Sequence, residues 1–175
     1  MLIPVLLSFA FVFAVIGVAQ LLLHFKLLDA ATTRKVVHIG VAHWWLVAMA
    51  WFDGLGVALI GPVSFVAINA LSYRRGLFKA MEHPEKRKNL GTVYFPVSLV
   101  LLVLLTWSGL FPTWYGAVAM LVLGWGDGLA SIFGENSKGR RFRVAGGVKS
   151  VAGTAAMFGA SFLVAATVYV WAMLR

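Results

Sequence analysis

Residues Tyr115–Phe133 read YGAVAMLVLGWGDGLASIF, an apolar run broken by a single charge, Asp127. A helix of this length approaches the ~20 residues needed to cross about 30 Å of hydrocarbon. A carboxylate at the centre of such a helix costs roughly 2.5–3.5 kcal/mol on insertion scales, so it faces an aqueous cavity, a cation or a substrate. Glycines at 124, 126 and 128 strip side-chain bulk from around it, as close approach of a backbone or ligand requires. Asp127 is the one acidic residue inside any stretch able to span a bilayer. The plainer alternative is an Asp near a helix end that reaches interfacial water.

Working outward, five more apolar runs occur, at about 3–25, 36–52, 54–73, 92–108 and 151–173. The chain is 61% hydrophobic with a mean hydropathy of +0.90, too apolar for a water-soluble domain of 175 residues. The expected fold is therefore all-α: a polytopic membrane bundle of about six helices forming a single domain over 1–175. The second run is the shortest and is open to a tilted or re-entrant course. The first run has no basic residue before it and exceeds a signal-peptide core in length, which favours a retained helix. The chain has no cysteine, which excludes disulfides, thiolate nucleophiles and Cys-based metal sites.

The net charge of +9 is unevenly placed. Lys26, Arg34 and Lys35 fall in the first loop, six basic residues between Arg74 and Lys88 in the third, and Lys138, Arg140, Arg141, Arg143 and Lys149 in the fifth. The loops at Phe52-Asp53-Gly54 and Gly109–Pro112 carry none. The positive-inside bias then puts the basic loops in the cytoplasm and both termini outside, as in an inner membrane protein of a prokaryote. About half of these charges suffice for orientation and for attracting anionic head groups. A nucleic-acid partner is not expected, because the charges abut membrane helices and no binding fold accompanies them.

Asp53-Gly54 predicts a tight turn and an antiparallel pairing of the second and third spans. Pro62 and Pro96 predict kinks in the third and fourth, since each removes a backbone donor. Gly153, Ala156, Ala160 and Ser161 give the last span a face suited to close helix packing. Trp107, Trp114 and Tyr115 suit the outer interface.

The polar groups gather at the cytoplasmic ends of the spans. Arg34, Lys35 and His38 open the second span, with Arg34 and His38 one turn apart on one face. His43, between apolar residues and beside Trp44 and Trp45, reads as a packed histidine. Lys86-Arg87-Lys88-Asn89-Leu90-Gly91-Thr92 brings cations to a helix start, where free N–H groups and the helix dipole favour phosphate. Gly146-Gly147-Val148-Lys149-Ser150, followed by Gly153-Thr154, offers backbone donors, a point charge and hydroxyls at another helix start. A Walker site is excluded, because its spacing is missing and no strand is expected before it. Asp127, Ser131 and Glu135 recur at intervals of four along one helix face. Mg²⁺ takes one or two carboxylates plus phosphates and water, which makes Asp127 and Glu135 its candidate ligands. These residues point to a polyphosphate and a divalent metal held where cytoplasm meets lipid.

Four pieces of this chain resemble the CTP-dependent polyprenol, phytol and diacylglycerol kinase family, which includes the dolichol kinases. They are Arg34-Lys35-x-x-His38, Gly91-Thr92-x-Tyr94-Phe95-Pro96, Gly126-Asp127-Gly128-Leu129-Ala130-Ser131 and Lys149-Ser150-x-x-Gly153-Thr154. They occur in the family's order, from about residue 34 to 154. The Gly-Asp-Gly and Lys-Ser pieces in tandem are the most specific. The resemblance implies Mg²⁺-dependent transfer of the CTP γ-phosphate to a membrane alcohol, and a distant kinship to CDP-lipid synthases. Ala152 stands where several family members have Glu, a pattern closer to phytol and farnesol kinase-like members.

On this reading Asp127 holds Mg²⁺ against the CTP phosphates. Lys149, with the backbone at Gly146 and Gly147, binds the triphosphate, assisted by Ser150, Gly153 and Thr154. Arg34, Lys35 and Lys88, together with Gly91 and Thr92, add phosphate-binding capacity. His38 is a candidate general base for the lipid hydroxyl, with Asp127 the alternative if the metal binds elsewhere, and Gly126, Gly128 and Ser131 support the site. The expected partners are CTP, a lipid alcohol, the membrane and a possible second copy of the chain. One rival is a CDP-lipid synthase-like cytidylyltransferase, disfavoured because no acidic residue follows Glu135. The other is a small membrane transporter, disfavoured because the polar residues gather on one side.

Overall fold

A computed structural model describes residues 2–75, 91–144 and 147–174. The chain runs α1 (Leu2–His24), α2 (Ala30–Ala42), α3 (Trp44–Trp51), α4 (Leu55–Arg75), α5 (Gly91–Trp107) and α6 (Thr113–Leu121). A π turn (Val122–Gly126) then leads into α7 (Asp127–Asn136), β1 (Arg141–Val144), β2 (Gly147–Ser150) and α8 (Val151–Met173). The architecture is a helical bundle. Among the described residues, three helical stretches are long and apolar enough to cross a membrane: α1, the continuous run Thr113–Asn136, and α8. Shorter apolar helices lie at Leu55–Leu71 and Phe95–Trp107.

The second apolar run is not one helix. α2 begins at Ala30, earlier than the run itself, and the chain breaks at His43 before α3. Asp29 starts α2 as an N-cap, its carboxylate accepting the Thr32 N–H at 2.7 Å while Thr33 Oγ1 donates to the Asp29 carbonyl at 2.7 Å. That Thr32 N–H bond holds the Asp29 carboxyl below its usual range.

The predicted turn at Asp53-Gly54 joins α3 to α4. Trp44, at the start of α3, reaches Gly61 in α4, as an antiparallel course requires. Even so, α4 packs chiefly along α5. Both helices run through their prolines, Pro62 and Pro96, which are buried.

The Thr113–Asn136 stretch is the centre of the bundle, with α8 along its π turn and α7 on one side and α2 on the other. Small residues set these distances. A Cβ at Gly124 would sit 2.5 Å from that of Ala42, and one at Gly128 would sit 2.6 Å from Ile39 Cγ1, both on α2. A Cβ at Gly126 would lie 2.9 Å from Ser161 Oγ, and one at Gly153 would lie 2.6 Å from the Ala130 carbonyl oxygen. The glycines around Asp127 thus serve contact between helix backbones, and the small face of α8 is the face that packs.

The core is aromatic and lies where α3, α5 and α6 meet. Trp44, Trp45, Phe52, Leu99, Val103 and Met120 are buried there. Trp45 occupies the space beside Gly116, where a Cβ would overlap its indole. Its Nε1–H donates to the Thr113 carbonyl at 2.9 Å, and Trp107 Nε1–H donates to the Phe52 carbonyl at 3.0 Å.

The fifth loop contains structure that an all-α reading omits. Arg141–Val144 pairs antiparallel with Gly147–Ser150, Phe142 opposite Lys149 and Val144 opposite Gly147. The alternation Arg-Phe-Arg-Val before Gly146-Gly147 is the hairpin signal.

Candidate functional site

The π turn positions the site. Asp127 follows it directly, and α2 packs on both the turn and α7. Close approach at Gly124 and Gly128 brings the exposed Asp127 carboxylate within 3.6 Å of Lys35 Nζ, an ion pair between α7 and α2. His38 lies one turn beyond Lys35. Its ring stands 4.7 Å from that of Phe95 on α5, tilted 58°. Asp127, Lys35 and His38, drawn from two sequence pieces, therefore form one cluster, and Phe95 adds a third.

The remaining expected residues group elsewhere. Ser131 Oγ donates to Glu135 Oε1 at 2.7 Å, so their predicted shared face is real. Glu135, however, lies two turns from Asp127, about 12 Å along the axis at 1.5 Å per residue. That separation prevents one Mg²⁺ from binding both carboxylates directly, because its ligands sit about 2.1 Å from the ion.

Ser150 is buried and N-caps α8, its Oγ accepting the Gly153 N–H at 3.0 Å, and Thr154 Oγ1 donates to the Ser150 carbonyl at 3.1 Å. These hydroxyls are engaged in holding the helix start. Ser150 Oγ also lies against Gly134, seven residues from Asp127 and about 10 Å down the helix axis. Lys149 is exposed on β2, and Gly147 adopts φ +139°, a conformation that favours glycine. The hairpin thus flanks the far half of α7 rather than Asp127 itself.

Arg34 is half-buried near the Asp29 cap. Gly91 and Thr92 form the first turn of α5. Lys88 and Gly146 lie outside the described residues.

Phe95 had a place in the sequence motif but no role assigned to it. The π turn was not anticipated at all. Closely spaced glycines before a polar residue are the only signal for it, and π turns recur at functional sites.

His43 differs from His38 in its bonding. Its Nδ1 meets the Ile39 carbonyl at 2.8 Å, and its Nε2 accepts Trp125 Nε1–H at 3.3 Å. Both ring nitrogens are occupied, as a structural histidine's are.

The donor set fits a divalent cation delivered by a phosphate ligand. Among the described residues no three acidic, His or Cys side chains converge. A single carboxylate, Asp127, would hold Mg²⁺, leaving phosphate oxygens and water to complete its six-fold shell.

The chain is 38% identical over 156 residues to a phytol kinase of Synechocystis sp.. It is a homologue of that kinase. The match is consistent with the CTP-dependent polyprenol and phytol kinase family. The alignment covers 86% of this chain but 64% of the relative, so the chain spans somewhat less than two thirds of the relative's length. No protein-family model and no solved structure matches the chain.

Proposed function

We propose that the chain is an isoprenoid-alcohol kinase of the membrane, transferring the γ-phosphate of CTP to the hydroxyl of a phytol-like lipid. The 38% identity to a phytol kinase carries this reading. The juxtaposition of Asp127 and Lys35 supports it locally, since phosphoryl transfer needs charge neutralisation and alignment above all.

In this reading Asp127 holds Mg²⁺, which when bound neutralises phosphate charge. Lys35, 3.6 Å from Asp127, would offer its charge to the triphosphate and stabilise the transferring group. Arg34, Lys88 and Lys149 add positive potential on the same side, which is cytoplasmic by the charge pattern of the loops. The alcohol arrives laterally, with its tail in hydrocarbon.

The test uses purified protein in vesicles with CTP labelled at the γ- or α-phosphate, Mg²⁺, and a panel of phytol, farnesol, polyprenol and diacylglycerol. Label from the γ-position in the lipid alone is the expected result. Label from the α-position identifies a cytidylyltransferase and overturns the reading, as does no lipid labelling with any donor.

A further inference from the structure

Among the described residues, His38 Nε2 is the buried side-chain polar atom without a hydrogen-bond partner. Such an atom carries a standing free-energy penalty unless something supplies the missing donor. The Phe95 ring packs against this imidazole, centroids 4.7 Å apart, and α2, which carries His38, packs on the π turn that ends before Asp127. A neutral imidazole protonated at Nδ1 presents Nε2 as a lone pair.

We propose that His38 Nε2 accepts the hydroxyl proton of the lipid alcohol and that Phe95 keeps water from that position. The proposal rests on the kinase reading and names the acceptor subsite within it. As the O–H proton passes to Nε2, the alcohol oxygen bonds the γ-phosphorus. The bond from that phosphorus to the β,γ-bridging oxygen breaks, and CDP leaves with its electron pair. The imidazolium gives its proton to water when the phosphorylated lipid departs. An acceptor sealed by a phenyl ring suits a hydroxyl that arrives through hydrocarbon, and excluding water protects CTP from hydrolysis.

The experiment compares wild type, His38→Asn and Phe95→Ala, measuring lipid phosphorylation, CTP hydrolysis and CTP binding separately. Asn keeps an amide N–H where Nδ1 stands and removes Nε2. The expected result is a fall in kcat for lipid phosphorylation of about 10²–10⁴-fold, with CTP binding and the KM for alcohol little changed. A kcat within severalfold of wild type overturns the proposal, as does a loss that merely tracks lost CTP binding. If His38→Asn does not fold, Phe95→Ala decides. A higher ratio of CTP hydrolysis to transfer supports the proposal, and an unchanged ratio overturns it. Wild type that phosphorylates no alcohol sinks the kinase reading itself and the subsite with it, an outcome distinct from an active wild type with an equally active His38→Asn.

Discussion

The two ends of the bundle satisfy their polar groups differently. Around α3, α5 and α6 the indoles of Trp45 and Trp107 each donate to a named carbonyl. Around the start of α7, Asp127 meets Lys35 at 3.6 Å and, among the described residues, His38 Nε2 has no hydrogen-bond partner. α5 serves both, with Trp107 at one end and Phe95 at the other, so helix length and hydropathy alone do not cause the difference. One end completes its bonds within the protein. The other holds donors and acceptors in reserve, which is the condition for binding something else.

The largest effect expected from breaking this contrast comes from Asp127. Asp127→Asn removes the charge while keeping size and shape. Its lipid phosphorylation should fall by about 10³-fold or more, comparable to the loss of one well-placed electrostatic group at a reacting centre. Membrane insertion and thermal stability should stay near wild type, because Asp127 is exposed and its ion pair with Lys35 is long. Activity in the purified variant equal to wild type would remove Asp127 from the site.

Next in size is a packing change that bears on the contrast without touching its polar groups. Gly153→Ala places a methyl 2.6 Å from the Ala130 carbonyl and 3.1 Å from Gly134 Cα, both backbone atoms. Overpacking of this kind costs about 1–3 kcal/mol. Gly159→Ala on the same helix meets nothing within 4 Å and serves as the control. Thermal unfolding in detergent should separate the two variants. Equal stability would show that α7 and α8 are not held as closely as described.

These glycines also show how far the sequence could be read. An apolar run of about 20 residues has one economical solution in lipid, so the helices around Asp127 and in α8 were legible from length alone. The need for close approach at Gly124, Gly126 and Gly128 was legible too. Which helix approaches was not, because a stretch apolar on all sides carries no marker of its partner. The break at His43 and the π turn escaped for a related reason: both depend on packing between helices. Within the site, Asp127 stood out by its cost in an apolar run. Its neighbours Lys35 and His38 were found by motif, whereas Glu135 and Lys149 were drawn toward it by sequence spacing and loop order. Spacing on a helix measures direction as well as distance. Residues on one face can still be two turns apart, as Asp127 and Glu135 are.

At the satisfied end, smaller effects are expected, and on stability rather than turnover. Trp45→Phe deletes the N–H that reaches the Thr113 carbonyl while leaving most of the buried ring. The loss should be about 1 kcal/mol, the usual net worth of one hydrogen bond. Lipid phosphorylation per folded molecule should stay within about twofold, as for other changes away from a reacting centre. Turnover falling a hundredfold with stability intact would show that this end contributes to the chemistry, and the contrast would fail.

The smallest effect tests whether every polar group at the basic end is held for a ligand. Asp29 lies there but is already engaged as the cap of α2, through the Thr32 N–H. Asp29→Ala should lower the unfolding temperature by a few degrees at most, because an N-cap is one local bond among many. Asp29→Asn should restore it, since the Asn oxygen can accept the same N–H. The pH response separates the two residue types. The folded-state carboxyl titrates below the ordinary range of an aspartate, so its contribution is present above that range and is lost as pH falls through the lower folded value. Wild type should therefore lose this small increment in acid, while Asp29→Asn keeps its cap. If Asp29→Ala instead abolished lipid phosphorylation with the fold retained, Asp29 would belong with Asp127 among the groups held in reserve, and the boundary of the site would move one turn toward the start of α2.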